Sequence, residues 1–198
     1  MKTLDTNQLL DTLEQKTEHL LTVAISKWQM LADATLCTKP ANNGWSATEC
    51  LLHLNSYGDY YLPALQHAIE KAKRNGLQPK ATFKSSWLGN YFTNLMKPKE
   101  KGAIKKMQSP KNHRPLYNKN GAQVVATFIQ QQETLLSLLK DARLVNLERT
   151  GVPISIAKFI KLSLGDVFQF YIAHHQRHVL QAERAIEAAL RNQVGTTV

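Results

Sequence analysis

The stretch GWSATECLLHL, residues 44–54, marks the start of a long helix. Ser46 is a favoured N-cap residue, and Glu49 follows it at the spacing of a capping box, in which each side chain binds the backbone N–H of the other residue. Trp45 precedes the cap, where an apolar side chain can pack against Cys50 at the fourth helical position. The segment therefore predicts a sharply defined helix start.

Apolar residues that recur every three to four positions extend this helix to about Gly76 and predict three others. The other helices cover about 7–33, 121–141 and 164–193. Pro63 lies inside the helix that follows the capping box, so we expect a kink or a break there. Four long helices are the expected framework of the fold.

The connections between these helices are long and mostly irregular. SSWLGNYFTNLM, residues 85–96, predicts one short helix, and the basic, proline-containing segment after it is predicted to be a loop. VPISIAKFI, residues 152–160, fits either a short helix or an extended connector, and no other segment has a convincing strand pattern. We therefore expect an all-α protein, a single domain over 1–198 built as a four-helix bundle with long crossover connections.

The formal net charge of +10 is concentrated in one segment. Residues 97–119 hold eight basic residues and one acidic residue, which accounts for +7 of that charge. A solvated loop is the usual structure of such a run. Because Tyr117 is its only aromatic residue, stacking on bases would be poor, and we do not expect nucleic acid as a partner.

Two features of the composition concern the location of the protein. No apolar run approaches the ~18 residues that a membrane span needs, and acidic residues stand where a signal peptide would have its apolar core. The two cysteines, Cys37 and Cys50, cannot form a disulfide framework and are expected to be reduced. These features predict a cytoplasmic protein that does not associate with a membrane.

Three of the seven histidines lie close together in YIAHHQRHVLQAERAIEAAL, residues 171–190. His174 and His178 are four positions apart, which places them on one face of a helix, where two imidazoles can bind one divalent ion. His53, two turns into the second helix, is the obvious candidate for a third ligand. Three imidazole ligands leave coordination positions open for catalysis, and we expect zinc, nickel, iron or manganese as the ion.

The spacing alone leaves other interpretations open. Single histidines on helices are more often core or solvated residues than ligands. His175 lies nearest the middle of the apolar stripe of its helix, so His175 and His178 form a rival pair. His67 is about 21 Å from His53 along a straight helix and cannot easily join the same ion. His113, in the basic loop, is predicted to be solvated.

Three segments together resemble the DinB-like superfamily. They are GWSATECLLHLNSYGDYYLPAL at 44–65, the loop KMQSPKNHRPLYN at 106–118 and HHQRHVLQAERAI at 174–186, and they occur in the order that is typical of that family. The resemblance implies a four-helix bundle with a divalent metal ion held by His53, His174 and His178. It also makes His175 a packing residue or a support for the ligands.

The resemblance suggests a range of activities. Relatives include bacillithiol- and mycothiol-dependent transferases and hydrolase- or isomerase-like enzymes. We therefore expect a divalent-metal-dependent enzyme that acts on a small molecule, either as an S-transferase that uses a low-molecular-weight thiol or as a metal-dependent hydrolase. The alternative is a non-catalytic bundle that serves as a metal-binding module or as an interaction module for protein or nucleic acid.

Several other residues are candidates for roles around the ion. An acidic thiol would be held by basic residues, and the candidates are Arg177, Arg114, Lys105 and Lys106. The candidates for catalysis or for lining the pocket are Gln181, Tyr57 and Tyr171. Cys50 lies three residues before His53, and we interpret it as a small core residue. The apolar character of the first helix, including Trp28, predicts a homodimer.

Overall fold

The computed structural model describes residues 3–41, 43–98, 107–116 and 120–195. In these ranges it contains six α-helices: α1 (Thr6–Val23), α2 (Asp33–Cys37), α3 (Ala47–Arg74), α4 (Trp87–Met96), α5 (Gly121–Ala142) and α6 (Leu164–Gly195). The same ranges contain four short strands: β1 (Thr3–Asp5), β2 (Thr82–Lys84), β3 (Gly151–Ile154) and β4 (Ala157–Ser163). A π-helical turn, Ala24–Trp28, follows α1, and a 3₁₀ turn, Lys111–His113, precedes α5.

The four longest helices pack together as a bundle. Helices α1 and α3 each pack against both α5 and α6, and the shorter α4 lies along α6. Fully buried side chains such as Leu10, Phe128 and Phe168 fill the space between them. The predicted all-α fold class, a helical bundle, is therefore confirmed. Within the described ranges, none of the helices has the length and apolar character needed to cross a membrane.

Helix α3 begins at the predicted capping box. Oγ of Ser46 accepts a hydrogen bond from the backbone N–H of Glu49 at 3.2 Å, and Oε2 of Glu49 accepts one from the N–H of Ser46 at 2.9 Å. The helix runs through Pro63 without a break. Leu62 and Leu65 are buried beside this proline, and their packing offsets the cost of about 3 kcal/mol that a proline brings inside a helix.

The first predicted helix, 7–33, is too long at its C-terminal end. Helix α1 ends at Val23 and passes into the π-helical turn, and α2 is a separate helix. The turn carries Trp28 into the core, where the centroid of its ring lies 6.2 Å from that of Phe128. Burial of this large aromatic side chain stabilises the wider turn. Because Trp28 is buried within the chain, it does not support the homodimer, which stays a prediction.

Two short antiparallel strand pairs correct the expectation of a protein without strands. Strand β1 pairs with β2, and β3 pairs with β4 in a hairpin. The hairpin contains 152–160, so this segment is extended and not helical. Val152, Ile154 and Leu162 are buried, and the alternation of buried and less buried residues along β3 is what an extended chain on the edge of a core produces.

Candidate functional site

Two antiparallel helices of the bundle bring three histidines to one point. His53 lies on α3, and His174 and His178 lie one turn apart on α6. One ring nitrogen of each residue lies within 4.8 Å of the nitrogens of the other two. The Nε2 atoms of His53 and His174 are 3.1 Å apart. All three side chains are buried, and the three histidines predicted as ligands therefore meet in the interior of the bundle.

His175 faces a different part of the bundle. Its Nδ1 lies 3.2 Å from Oε1 of Gln132 on α5, and its ring centroid lies 4.2 Å from that of Tyr171. Both rings are fully buried. The rival pairing of His175 with His178 is therefore not the arrangement of the structure, and His175 packs in the core behind the other three histidines.

Hydrogen bonds orient two of the three imidazoles. Nδ1 of His53 lies 2.7 Å from the backbone carbonyl oxygen of His113, and Nδ1 of His178 lies 3.1 Å from Oε1 of Gln181. A carbonyl oxygen only accepts hydrogen bonds, so each Nδ1 carries the proton and donates it. The Nε2 atom of each ring is then left with a lone pair. This is how neighbouring groups commonly prepare a histidine to bind a metal ion.

Burial from water lowers the pKa of all three imidazoles. It lowers the pKa of His53 to about 4, and it lowers the pKa of His174 and of His178 well below the ordinary value for histidine. Repulsion between the neighbouring imidazoles adds to this effect. The three side chains are therefore neutral at neutral pH, which is the form that binds a metal ion.

The donor atoms fit a divalent metal ion in type, protonation and spacing. The separation of 3.1 Å between the Nε2 atoms of His53 and His174 is comparable with that of neighbouring ligand atoms around an ion whose metal–nitrogen distances are about 2.1 Å. Nδ1 of His174 is buried and has no hydrogen-bond partner among the described residues. Imidazole suits several transition metals, so the donor set does not select one of the four predicted ions.

Aromatic rings enclose the three histidines. The ring of Trp45 is stacked on His178, with centroids 5.8 Å apart, and lies 5.1 Å from the ring of His53. The ring of Tyr57 lies 4.5 Å from that of His174. From the sequence, Trp45 is expected only to pack at the helix cap, and its place in the site is not predicted. Trp45 precedes His53 by eight residues, which is about two helical turns, and this spacing is the one local signal that the two side chains lie near each other.

The prediction that His113 is solvated is wrong. Only 4% of its surface is exposed, because the 3₁₀ turn folds back onto α3. Its Nδ1 lies 2.8 Å from Oγ of Ser56, and the centroid of its ring lies 3.9 Å from that of Tyr57. The basic, proline-rich composition around it concealed this contact, since composition reports only the average behaviour of a segment. His113 therefore belongs to the surroundings of the site.

The three histidines line a cavity of about 1060 Å³. Three of the other residues that line it are arginines: Arg114, Arg177 and Arg184. Among the lining residues that the structure describes, no aspartate or glutamate occurs. The arginine side chains are therefore the cationic groups that the described lining contributes.

The remaining candidates divide into those that reach the cavity and those that do not. Gln181 and Tyr57 line it. Tyr171 is fully buried beside His175 and does not line it in the described part of the chain. Cys50 is also fully buried, and burial raises the pKa of its thiol far above the usual range, which agrees with a core residue. Lys105 and Lys106 lie outside the described residues.

Comparison with known proteins identifies one family. The family model of the DinB superfamily matches residues 9–182. This range contains His53, His174 and His178. No curated protein and no solved structure matches the chain. Because the family model spans well over half of the sequence, the chain belongs to the DinB superfamily.

Proposed function

We propose that the protein is a divalent-metal-dependent S-transferase that joins an acidic low-molecular-weight thiol to an electrophilic substrate. One observation carries this proposal. Three neutral histidines converge in a cavity whose described lining contains three arginines and no carboxylate. Such a cavity favours a small anionic molecule beside a cation-binding group.

The residues present indicate how the site would work. An ion held by His53, His174 and His178 would act as a Lewis acid and lower the pKa of a thiol that binds to it. The His113 carbonyl and Gln181 keep two of the three rings in the required tautomer. The rings around them limit the access of water, which strengthens electrostatic interactions in the site.

The arginines provide a place for the acidic part of the thiol. Arg177 and Arg184 lie on α6, three and ten positions after His174, and both line the cavity. A guanidinium binds a carboxylate through two parallel hydrogen bonds. In the reaction the thiol sulfur bonds to the electrophilic carbon, the bond from this carbon to the displaced atom breaks, and the thiol proton passes to the displaced atom or to water.

The residues that line the cavity favour S-transfer over hydrolysis. Metal-dependent hydrolases commonly use a glutamate or aspartate beside the ion as the general base that takes a proton from water. The cavity lining has neither residue among the described positions. A thiol has a much lower pKa than water, so beside an ion it would need less help from a base to lose its proton.

Two measurements test the proposal. Elemental analysis of the purified protein should find one divalent ion per chain, which His53→Ala and His178→Ala lose. His67→Ala is the matched control, because His67 is exposed on the same helix as His53. The metal-loaded protein should then conjugate bacillithiol or another acidic thiol to monobromobimane faster than the His178→Ala variant does.

Each contrary result leads to a different conclusion about the site. Metal binding without conjugation of any thiol in a panel of bacillithiol, mycothiol, glutathione and coenzyme A would favour a non-catalytic metal-binding module. Ester or amide hydrolysis that needs the metal ion and no thiol would identify a hydrolase. Absence of a divalent ion above background, with no thermal shift on adding nickel or zinc, would reject the metal site itself.

A further inference from the structure

The cavity has two chemically different ends, which follow the axis of α6. On the C-terminal side of His178, α6 lines it with Gln181 and Arg184, and Arg177 lies between His174 and His178. On the N-terminal side, α6 contributes Phe170. Phe170 and Arg184 are about 21 Å apart along the helix, at a rise of 1.5 Å per residue. Along α6, arginines line the cavity only from Arg177 onwards, and we call this side the arginine end.

The second end is apolar and built from four elements. Tyr61 of α3 and Phe170 of α6 form its floor, with ring centroids 6.0 Å apart, and Phe92 of α4 lies 6.2 Å from Phe170. The other lining residues at this end come from α4 and the hairpin and are mostly aliphatic: Leu95, Met96, Ile154, Ser155, Ile156 and Leu162. None of these side chains carries a charge.

Helix α4 is held in place before any ligand arrives. Oγ of Ser85 and Oγ of Ser86 donate hydrogen bonds to the buried carboxylate of Asp166 at the start of α6, at 2.6 Å and 2.8 Å. Gly89 lies against the same carboxylate, and a methyl group at that position would overlap it. The apolar end is therefore preformed, which lowers the entropy cost of binding.

The inner face of α4 still presents apolar surface. Phe92, Leu95 and Met96 line the cavity but are only half-buried, whereas Trp87 and Tyr91 lie exposed and stacked on each other. Apolar surface that remains accessible inside a preformed cavity gains most from an apolar ligand. The inner face of α4 is therefore the surface that such a ligand would cover.

We infer that the apolar end binds the uncharged, apolar portion of the electrophilic substrate. This inference rests on the proposed function and adds the class of the second substrate. The acidic thiol occupies the arginine end, the apolar group occupies the α4 end, and the two reacting atoms meet beside the three histidines. The substrate class is a neutral electrophile that carries an alkyl or aryl group. Anionic electrophiles are disfavoured because the acidic thiol already occupies the arginine end.

A binding experiment tests the apolar end without any turnover. The full-length protein as purified is titrated with N-phenyl-1-naphthylamine, a neutral dye that fluoresces in apolar surroundings. Leu95→Gln and Met96→Gln should each weaken binding about tenfold, whereas Tyr91→Gln, on the outer face of the same helix, should leave it unchanged. Circular dichroism confirms that the variants fold. Equal binding by wild type and both inner-face variants, or an equal loss in Tyr91→Gln, would overturn the inference.

A kinetic experiment uses a homologous series of 1,2-epoxyalkanes with a fixed acidic thiol. The thiol sulfur attacks the terminal carbon, a carbon–oxygen bond of the ring opens, and the alkoxide takes up the proton that the thiol lost. The value of kcat/KM should rise about fourfold for each added methylene group in the wild type and much less in Met96→Gln. The KM for the thiol should not change.

The two proposals fail in different ways. A chain-length dependence that is equally steep in Met96→Gln contradicts the apolar end but leaves S-transfer intact. Dye binding that depends on Leu95 and Met96, in a protein that transfers no thiol, supports the apolar end and rejects the proposed function.

Discussion

The Nδ1 atom of His53 lies 2.7 Å from the carbonyl oxygen of His113, a residue 60 positions further along the chain. Oγ of Ser109 donates to the same carbonyl oxygen at 3.2 Å, and the His113 side chain binds Oγ of Ser56 at 2.8 Å. The described residues Ser109 and His113, which precede α5, thus bind α3 at the histidine that faces α6. Through this contact a connecting segment controls the tautomer of a predicted metal ligand.

Removal of the hydroxyl group that holds His113 should weaken metal binding. In Ser56→Ala, His113 loses the partner of its Nδ1, and the carbonyl that orients His53 becomes less well placed. We expect the metal affinity to fall about tenfold. Competition with a chromophoric chelator measures the affinity. Ser26→Ala is the control, because this serine is exposed on the π-helical turn, and an equal loss in both variants would contradict the role of the contact.

The side chain of Gln181 should act through the tautomer of His178. Gln181→Leu removes the acceptor for Nδ1, so the proton can move to Nε2, and the metal affinity should fall about 10- to 100-fold. Gln181→Glu keeps an acceptor oxygen at the same position and should retain most of the affinity. If both variants bind the ion equally weakly, the residue acts by packing and not by orienting the ring.

Removal of the metal ion should lower the stability of the protein. An ion that binds only the folded chain stabilises it by about 2.7 kcal/mol at a free concentration of 100 Kd. The midpoint of thermal unfolding should therefore fall on addition of a chelator and recover with zinc or nickel. His178→Ala should show no such response, and His67→Ala should respond like the wild type. A response to metal that persists in His178→Ala would place the binding site elsewhere.

The close contact between α4 and the start of α6 should depend on the absence of a side chain at position 89. Gly89→Ala introduces a methyl group against the buried carboxylate of Asp166, and we expect a loss of about 1–3 kcal/mol in the free energy of unfolding. Chemical denaturation measures this loss. Asn90→Ala, at the next and exposed position, should be neutral. A neutral result for Gly89→Ala would show that α4 tolerates displacement from α6.

Much of the fold followed from local patterns. The start of α3 was predictable because the capping box between Ser46 and Glu49 depends only on residues three positions apart. The end of α1 was not predictable in the same way. The apolar spacing continued past it, but the π-helical turn there is stabilised by the contact between Trp28 and Phe128, two residues that are distant in sequence.

The candidate site was also predictable only where it depends on local spacing. Spacing on α6 placed His174 and His178 on one face, and it left His175 open as a rival because apolar periodicity does not report which neighbour a side chain meets. The structure resolves this choice because Gln132 of α5 binds His175.

The sequence by itself determined most of the long helices, the capped start of α3 and a pair of histidines one turn apart, since these depend on interactions within a few residues. Only the tertiary structure decided that His53 meets this pair, that Trp45 packs on His178 and His113 on Tyr57, and that arginines and apolar side chains line one cavity. The physical reason is that these contacts join segments separated by tens of residues. Their distances are set by the packing of whole helices against one another and not by the spacing of residues along any one of them.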